Sequence, residues 1–181
     1  KVKKNRRILL SINSVVPRQV TVPNVVNYSL RQAKTELIAS GLQLGRITYI
    51  EDIATNNVLF QQYKGKDIEP GTLVESDSKI DLVLGLNYAA NDSTYVPNVI
   101  GYKYNVAKDF VFDNSLNIRD MIFDNTVSTY TDSLEAFVYS QYPAPSDSIS
   151  VAMGSEVTLY LSLDESKIPV VTPEEVTEDE E

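Results

Sequence analysis

Val22-Pro23-Asn24-Val25-Val26 returns 74 positions later as Val96-Pro97-Asn98-Val99-Ile100, and that recurrence decides how the chain is read. At the same offset Ala33 meets Ala107, Leu37 meets Val111, Leu42 meets Leu116 and Leu44 meets Ile118. Toward the end of each unit the offset becomes 77, which implies three residues inserted in the loops of the later unit. There Val74 meets Val151, Ile80 meets Val157, Leu82 meets Leu159 and Leu84 meets Leu161. Self-similarity at a fixed period marks a repeat architecture, so the 181 residues divide into small units instead of one mid-sized domain. A third, partial copy precedes them: Val2, Ile8, Leu10 and Ile12 lie 72 positions before Val74, Ile80, Leu82 and Leu84. Residues 1–14 are therefore expected to be the last strand of an earlier repeat in a fragment of a longer protein. A basic tail is the alternative. The expected division is 1–14 partial repeat, 20–87 and 94–164 whole repeats, and 165–181 acidic disordered tail.

Within a unit the periodicity changes in a set order. Pro23 biases its predecessor toward extended backbone. Ser29 is a good N-cap, and Gln32 three residues on completes a capping box. Leu30, Ala33, Leu37 and Ile38 then recur at helical spacing as a core-facing stripe, and Gly41 suits the left-handed position after the helix. Residues 44–50, 58–63 and 79–84 read as strands, with a turn at Glu69-Pro70-Gly71-Thr72. The later unit loosens these signals. Lys103 replaces the Ser cap and Ser115 stands where Gly41 stood, so Asn105 is the candidate cap of a helix over 105–113 and Asn114 the candidate left-handed residue.

Composition narrows the function. There is no Cys and no His, so disulfides, thiolate metal sites and the commonest general base are excluded. No Ser-x-x-Lys in a catalytic setting, no Gly-x-Ser-x-Gly and no phosphate-cradling loop occurs. Asn91-Asp92-Ser93 lacks the alternating ligands and closing Glu of a calcium loop. The pairs Glu51/Asp52 and Asp132/Glu135 read as solvated surface. No catalytic residue, metal ligand or cofactor is expected. Six of the nine net negative charges sit among Glu174, Glu175, Glu178, Asp179, Glu180 and Glu181. The only basic run is at residues 1–7, and the folded part offers no cationic face for a phosphate backbone, so nucleic acid is not an expected partner. No apolar stretch reaches the roughly 18–20 residues of a membrane span.

Val96-Pro97-Asn98-Val99-Ile100-Gly101, Ala107, Val138-Tyr139-Ser140-Gln141-Tyr142-Pro143 and Gly154-Ser155-Glu156-Val157-Thr158-Leu159 resemble the PASTA modules of bacterial serine/threonine kinases and penicillin-binding proteins. Val22-Pro23-Asn24-Val25, Ala33, Gly41-Leu42, Val58-Leu59-Phe60-Gln61 and Ser78-Lys79-Ile80-Asp81-Leu82 repeat the pattern. Tyr63 replaces the Pro after Gln61, and Gly65-Lys66-Asp67-Ile68 lengthens the loop. The resemblance implies an α+β fold of tandem small modules, each one helix packed on a three-stranded sheet. It implies exposure outside the cytoplasm, in the periplasm or at the cell surface, behind a membrane helix upstream of Lys1. It further implies a non-catalytic module for peptidoglycan or muropeptides. Two alternatives are a spacer or interaction module for an envelope protein in assembly or division, and the sensor part of a kinase. The layout is similar to short PASTA-only envelope proteins of Bacteroides-type bacteria. No ligand residues are assigned. Tyr63 and Tyr142, each following a matched Gln, have the amphipathic ring suited to glycan contact, although strand-face packing explains them as well. The segments 14–21 and 87–94 permit an extended array with little contact between units.

Overall fold

The computed structural model describes residues 17–89 and 93–169. The strand expected over 1–14 and the acidic residues 174–181 lie outside that range. Residues 165–169, counted above with the acidic tail, carry a 3-10 turn at Glu165–Lys167.

The first unit runs β1 (Gln19–Thr21), α1 (Leu30–Ala39), β2 (Gln43–Glu51), β3 (Val58–Tyr63), β4 (Lys66–Asp67), β5 (Leu73–Glu75) and β6 (Lys79–Leu86). The second runs β7 (Ser93–Val96), α2 (Tyr104–Asp113), β8 (Asn117–Phe123), α3 (Tyr130–Glu135), β9 (Phe137–Tyr142), β10 (Ser146–Ala152) and β11 (Glu156–Ser162). In each unit the closing strand is central. β6 lies parallel to β2 and antiparallel to β3; β11 lies parallel to β8 and antiparallel to β9. The short β4 makes the first sheet four-stranded, while the second has three strands. Each unit adds a two-stranded ribbon, β1 with β5 and β7 with β10. One helix on a small mixed sheet, twice over, is the α+β architecture the sequence implied.

Local chemistry explains α1. The Gln32 N–H donates to Ser29 Oγ, and the Ser29 N–H donates to Gln32 Oε1 at 3.2 Å, closing the capping box. Leu30, Ala33 and Leu37 bury against the sheet, and Gly41 takes φ +77°. Ile38 departs from expectation: it is 56 % exposed. One residue beyond Leu37 turns it about 100° off the sheet-facing stripe.

α2 also departs. It begins at Tyr104, one residue before the expected start; Lys103 occupies the cap position, with no side-chain bond to the helix. Asn114 has φ −92°, and Ser115 takes the left-handed conformation at φ +60°. The bend is therefore kept at the residue matching Gly41, whatever stands there. The same holds elsewhere. Asn27 and Gly101 match and are both left-handed, as are Asp77 and Gly154. The Asp77 N–H donates to Gly41 O and the Gly154 N–H to Ser115 O, each at 2.8 Å.

The change of offset is two events and not one insertion. Gln61 matches Gln141, 80 residues on, because Gln141 lies six residues farther from Ile118 than Gln61 lies from Leu44, and the β8–β9 connection between them contains α3. The excursion at β4 in the first unit then removes three from the offset. α3 was not foreseen. Its start is a capping box of Thr129 and Asp132, and the N–H groups of Ser128 and Thr129 hold the Asp132 carboxyl below the usual range.

Candidate functional site at the junction of the two units

The units are packed together, not strung out. Phe112, on α2, is 6 % exposed and belongs to the first unit's core with Leu37, Leu42 and Ile80. Asn117, at the start of β8, is 4 % exposed. Its Oδ1 accepts from the Ile47 N–H at 2.9 Å, and its Nδ2 donates to Ile47 O at 2.9 Å and to Gly154 O at 2.7 Å. One side-chain amide thus completes the edge of β2 as a neighbouring strand would. Gly154 lies under the Tyr49 ring, where a Cβ would come within 3.2 Å of Cδ2. Asn56 Oδ1 accepts from Tyr49 Oη at 2.5 Å and from Ser115 Oγ at 3.3 Å. Burial pushes the Tyr49 hydroxyl up to about 12, against the lowering effect of Ser115. Arg46 pairs with Glu156 at 2.9 Å, and Lys34 pairs with Asp113 at 2.5 Å and Asp109 at 3.5 Å.

Matched positions of both units meet here. Lys34 matches Lys108 and Gln43 matches Asn117, and all four lie at the junction. The contacts are not reciprocal, however: Gln43 meets Lys108, whereas Asn117 meets Ile47 and Gly154 and Lys34 meets Asp109 and Asp113.

The junction encloses a groove. Lys108 Nζ donates to Gln43 Oε1 at 3.1 Å across it. A cavity of about 390 Å³ opens between Gln43, Tyr104, Lys108, Met121, Phe123 and Tyr130. Lys108 also lines two adjoining cavities, of about 300 and 130 Å³. Burial, then the neighbouring Lys79, hold the Lys108 ammonium below the usual lysine value, with Asp109 opposing and Lys34 reinforcing the shift. Burial and Tyr130 push the Tyr104 hydroxyl up. Aromatic walls around a half-buried cation suit a ligand with an apolar part and an anionic group.

The residues singled out from sequence fall elsewhere. Tyr63 packs on the first unit's core beneath Lys64, whose Nζ lies 4.9 Å from the ring centroid, and its hydroxyl is 3.4 Å from Ser78 Oγ. Tyr142 is 71 % exposed on β9. Neither lines the groove. The glutamines before them are structural: Gln61 Oε1 accepts from the Val25 N–H at 3.1 Å, and Gln141 Oε1 from the Val99 N–H at 2.9 Å. Both are nearly buried and pin the entry segment to the sheet. Of the two carboxylate pairs, Asp132 caps α3, Glu135 pairs with Lys103, and Asp52 Oδ1 accepts from the Ala54 N–H. The groove residues went unnoticed, although one signal was present: Ala33-Lys34 recurs as Ala107-Lys108, a basic residue repeated with the fold-building alanine.

Among the described residues no three His, Cys, Asp or Glu side chains group as metal ligands, and no helix is long and apolar enough to cross a membrane. The PASTA domain family model matches residues 20–85. Among solved structures, the chain is similar to the three PASTA domains of a Ser/Thr kinase from Staphylococcus aureus, at 19 % identity and TM-score 0.32, covering 80 % of this chain and 66 % of that one. It is similar to the extracellular region of the Ser/Thr kinase PrkC from the same organism, at 19 % identity and TM-score 0.30, covering 81 % and 47 %. A third likeness is to penicillin-binding protein 2X from Streptococcus thermophilus, at 10 % identity and TM-score 0.30, covering 80 % and 17 %. The chain thus spans from about two thirds down to a sixth of the lengths of these structures. No curated protein matches the sequence.

Proposed function

The chain belongs to the PASTA-domain proteins, with that domain at residues 20–85, and from this premise we propose that it is a non-catalytic binding protein acting outside the cytoplasm on peptidoglycan or its fragments. The family match carries the reading. The second unit, 94–164, is a further module of the same kind: it repeats the helix, the parallel and antiparallel pairing of the closing strand, and the left-handed positions at Asn27, Gly41 and Asp77 as Gly101, Ser115 and Gly154. A membrane anchor upstream of Lys1 belongs to the same proposal. A spacer role fits less well, because the units pack against each other through Phe112 and Asn117 instead of being strung out.

The test is co-sedimentation of the whole chain with purified sacculi. The chain is expected in the pellet and is released when a muramidase digests the glycan. A chain that stays in the supernatant at all sacculus concentrations overturns the proposal.

A further inference from the structure

We propose that the groove between the two units binds a carboxylate-bearing peptide of the peptidoglycan stem type, its acid on Lys108 and its apolar part against Tyr104, Met121, Phe123 and Tyr130. The inference rests on the peptidoglycan reading for the source of the peptide; the site itself rests on the geometry.

Lys34 and Lys108 occupy the same place in their units, and their surroundings differ in one respect. Lys34 is neutralised by Asp109 and Asp113. Among the described residues Lys108 has no carboxylate within 4 Å, and its partner is the neutral carbonyl of Gln43. A half-buried ammonium whose partner is a single neutral amide oxygen has lost hydration that one bond replaces only in part. An incoming carboxylate recovers that loss and meets a second cation in the neighbourhood, Lys79. Lys34 lies near as well, but Asp109 and Asp113 offset its charge.

The walls are as selective as the charge. The main cavity, about 390 Å³, is within the size range of ligand pockets, roughly 300–1,000 Å³. Its outer wall is α3, the insertion the first unit lacks; Tyr130 projects from it and is 80 % exposed. Its floor at Gln43 comes from β2 of the first unit. Neither unit makes the site alone, so the groove gives the pairing of the units a purpose that a single module cannot serve.

The experiment is a ¹⁵N–¹H NMR titration of the whole chain with three probes: a stem tetrapeptide with free carboxylates, the same peptide fully amidated, and the glycan disaccharide without peptide. The free acid should shift the amides of Tyr104, Lys108, Met121 and Tyr130. Amidation of the peptide, or Lys108→Gln, should weaken binding at least tenfold. Tyr130→Ala, a change at an exposed position that leaves the fold intact, should weaken it at least threefold. Acid and amidated peptides binding alike, binding unchanged in both variants, or shifts confined to residues away from the groove would each overturn the inference. If the chain pellets with sacculi while the groove stays unmoved, this site fails and the function stands. If the acid peptide shifts the groove but sacculi leave the chain in solution, the function fails and the carboxylate site stands.

Discussion

The two helices occupy the same place in their units and are held there by different means. α1 carries its own start and stop: a reciprocal capping box at Ser29 and Gln32, and Gly41 where the backbone turns left-handed. α2 has an uncapped Lys103 at one end and Ser115, an unfavoured residue for that bend, at the other. What α2 has instead is a neighbour. Phe112 enters the first unit's core, and Lys108, Asp109 and Asp113 reach residues of α1 and β2. Tertiary packing supplies most helix stability in proteins, and here it lets one copy dispense with local signals that the other retains. The difference also explains Ile38. It is the residue matching Phe112, and it stays 56 % exposed because no second core receives it.

The largest effect should come from testing that pair. Phe112→Ala removes a buried aromatic side chain and should cost roughly 3–5 kcal/mol, whereas Ile38→Ala should stay within about 0.5 kcal/mol. Urea denaturation followed by tyrosine fluorescence reads both. The Phe112 variant should also lose the single transition of coupled units and show two. Equal costs for the two variants would break the comparison, since matched positions would then be doing matched work.

A smaller effect is expected at the other matched pair. Asn117→Ala strands the Ile47 N–H and carbonyl and the Gly154 carbonyl at a buried junction, at about 1–3 kcal/mol. Gln43→Ala loses one bond in a groove open to water and should cost less than about 1 kcal/mol. Hydrogen exchange sharpens the point: the Ile47 amide should exchange faster in the Asn117 variant and stay protected in the Gln43 variant.

How much of this was legible in the sequence follows from the range of the forces involved. α1, its cap and the strands at 58–63 were readable because each is set by contacts a few residues apart or by alternation along one strand. Gly41 was readable for the same reason. Ser115 was harder: the left-handed bend survives there because the 2.8 Å bond from Gly154 fixes it from another loop. α3 was missed because the offset from start to end of the unit hid six residues gained and three lost. The groove was least legible. It exists only where β2 of one unit meets α2, α3 and β8 of the other, and no spacing within a unit encodes how two units meet. Tyr63 and Tyr142 drew attention by their place after a repeated Gln, yet the repeat there preserves a buried amide that anchors the backbone, and the tyrosines merely follow it.

The smallest effect concerns the strand ends that follow β2 and β8. Both open with an aspartate whose Oδ1 accepts a backbone N–H two residues on, Asp52 from Ala54 at 2.9 Å and Asp124 from Thr126 at 3.0 Å. Only Asp124 gains more. Lys167 donates to its other oxygen at 2.5 Å, and Thr126 Oγ1 adds a further bond. These groups, Lys167 foremost, hold the Asp124 carboxyl well below the usual carboxylate range, and Asp124 in turn raises Lys167. A carboxyl whose folded-state value is lowered binds its proton more readily in the unfolded chain. Its contribution is therefore complete above the unfolded value, near 3.9, and drains away as pH falls through the lower folded one. Lys167 works on the opposite limb: its contribution is complete below the unfolded lysine value and is lost as pH rises through the raised folded one. Asp124→Asn should thus flatten both limbs of the stability profile, and Lys167→Gln should remove the alkaline limb's share and only part of the acid limb's, since Thr126 still holds Asp124. Urea midpoints taken at pH 3, 7 and 11 measure this. An acid limb as steep in Asp124→Asn as in the parent chain would show that the pair does not tie residues 165–169 to the end of β8, and the second unit would then end, like the first, at its closing strand.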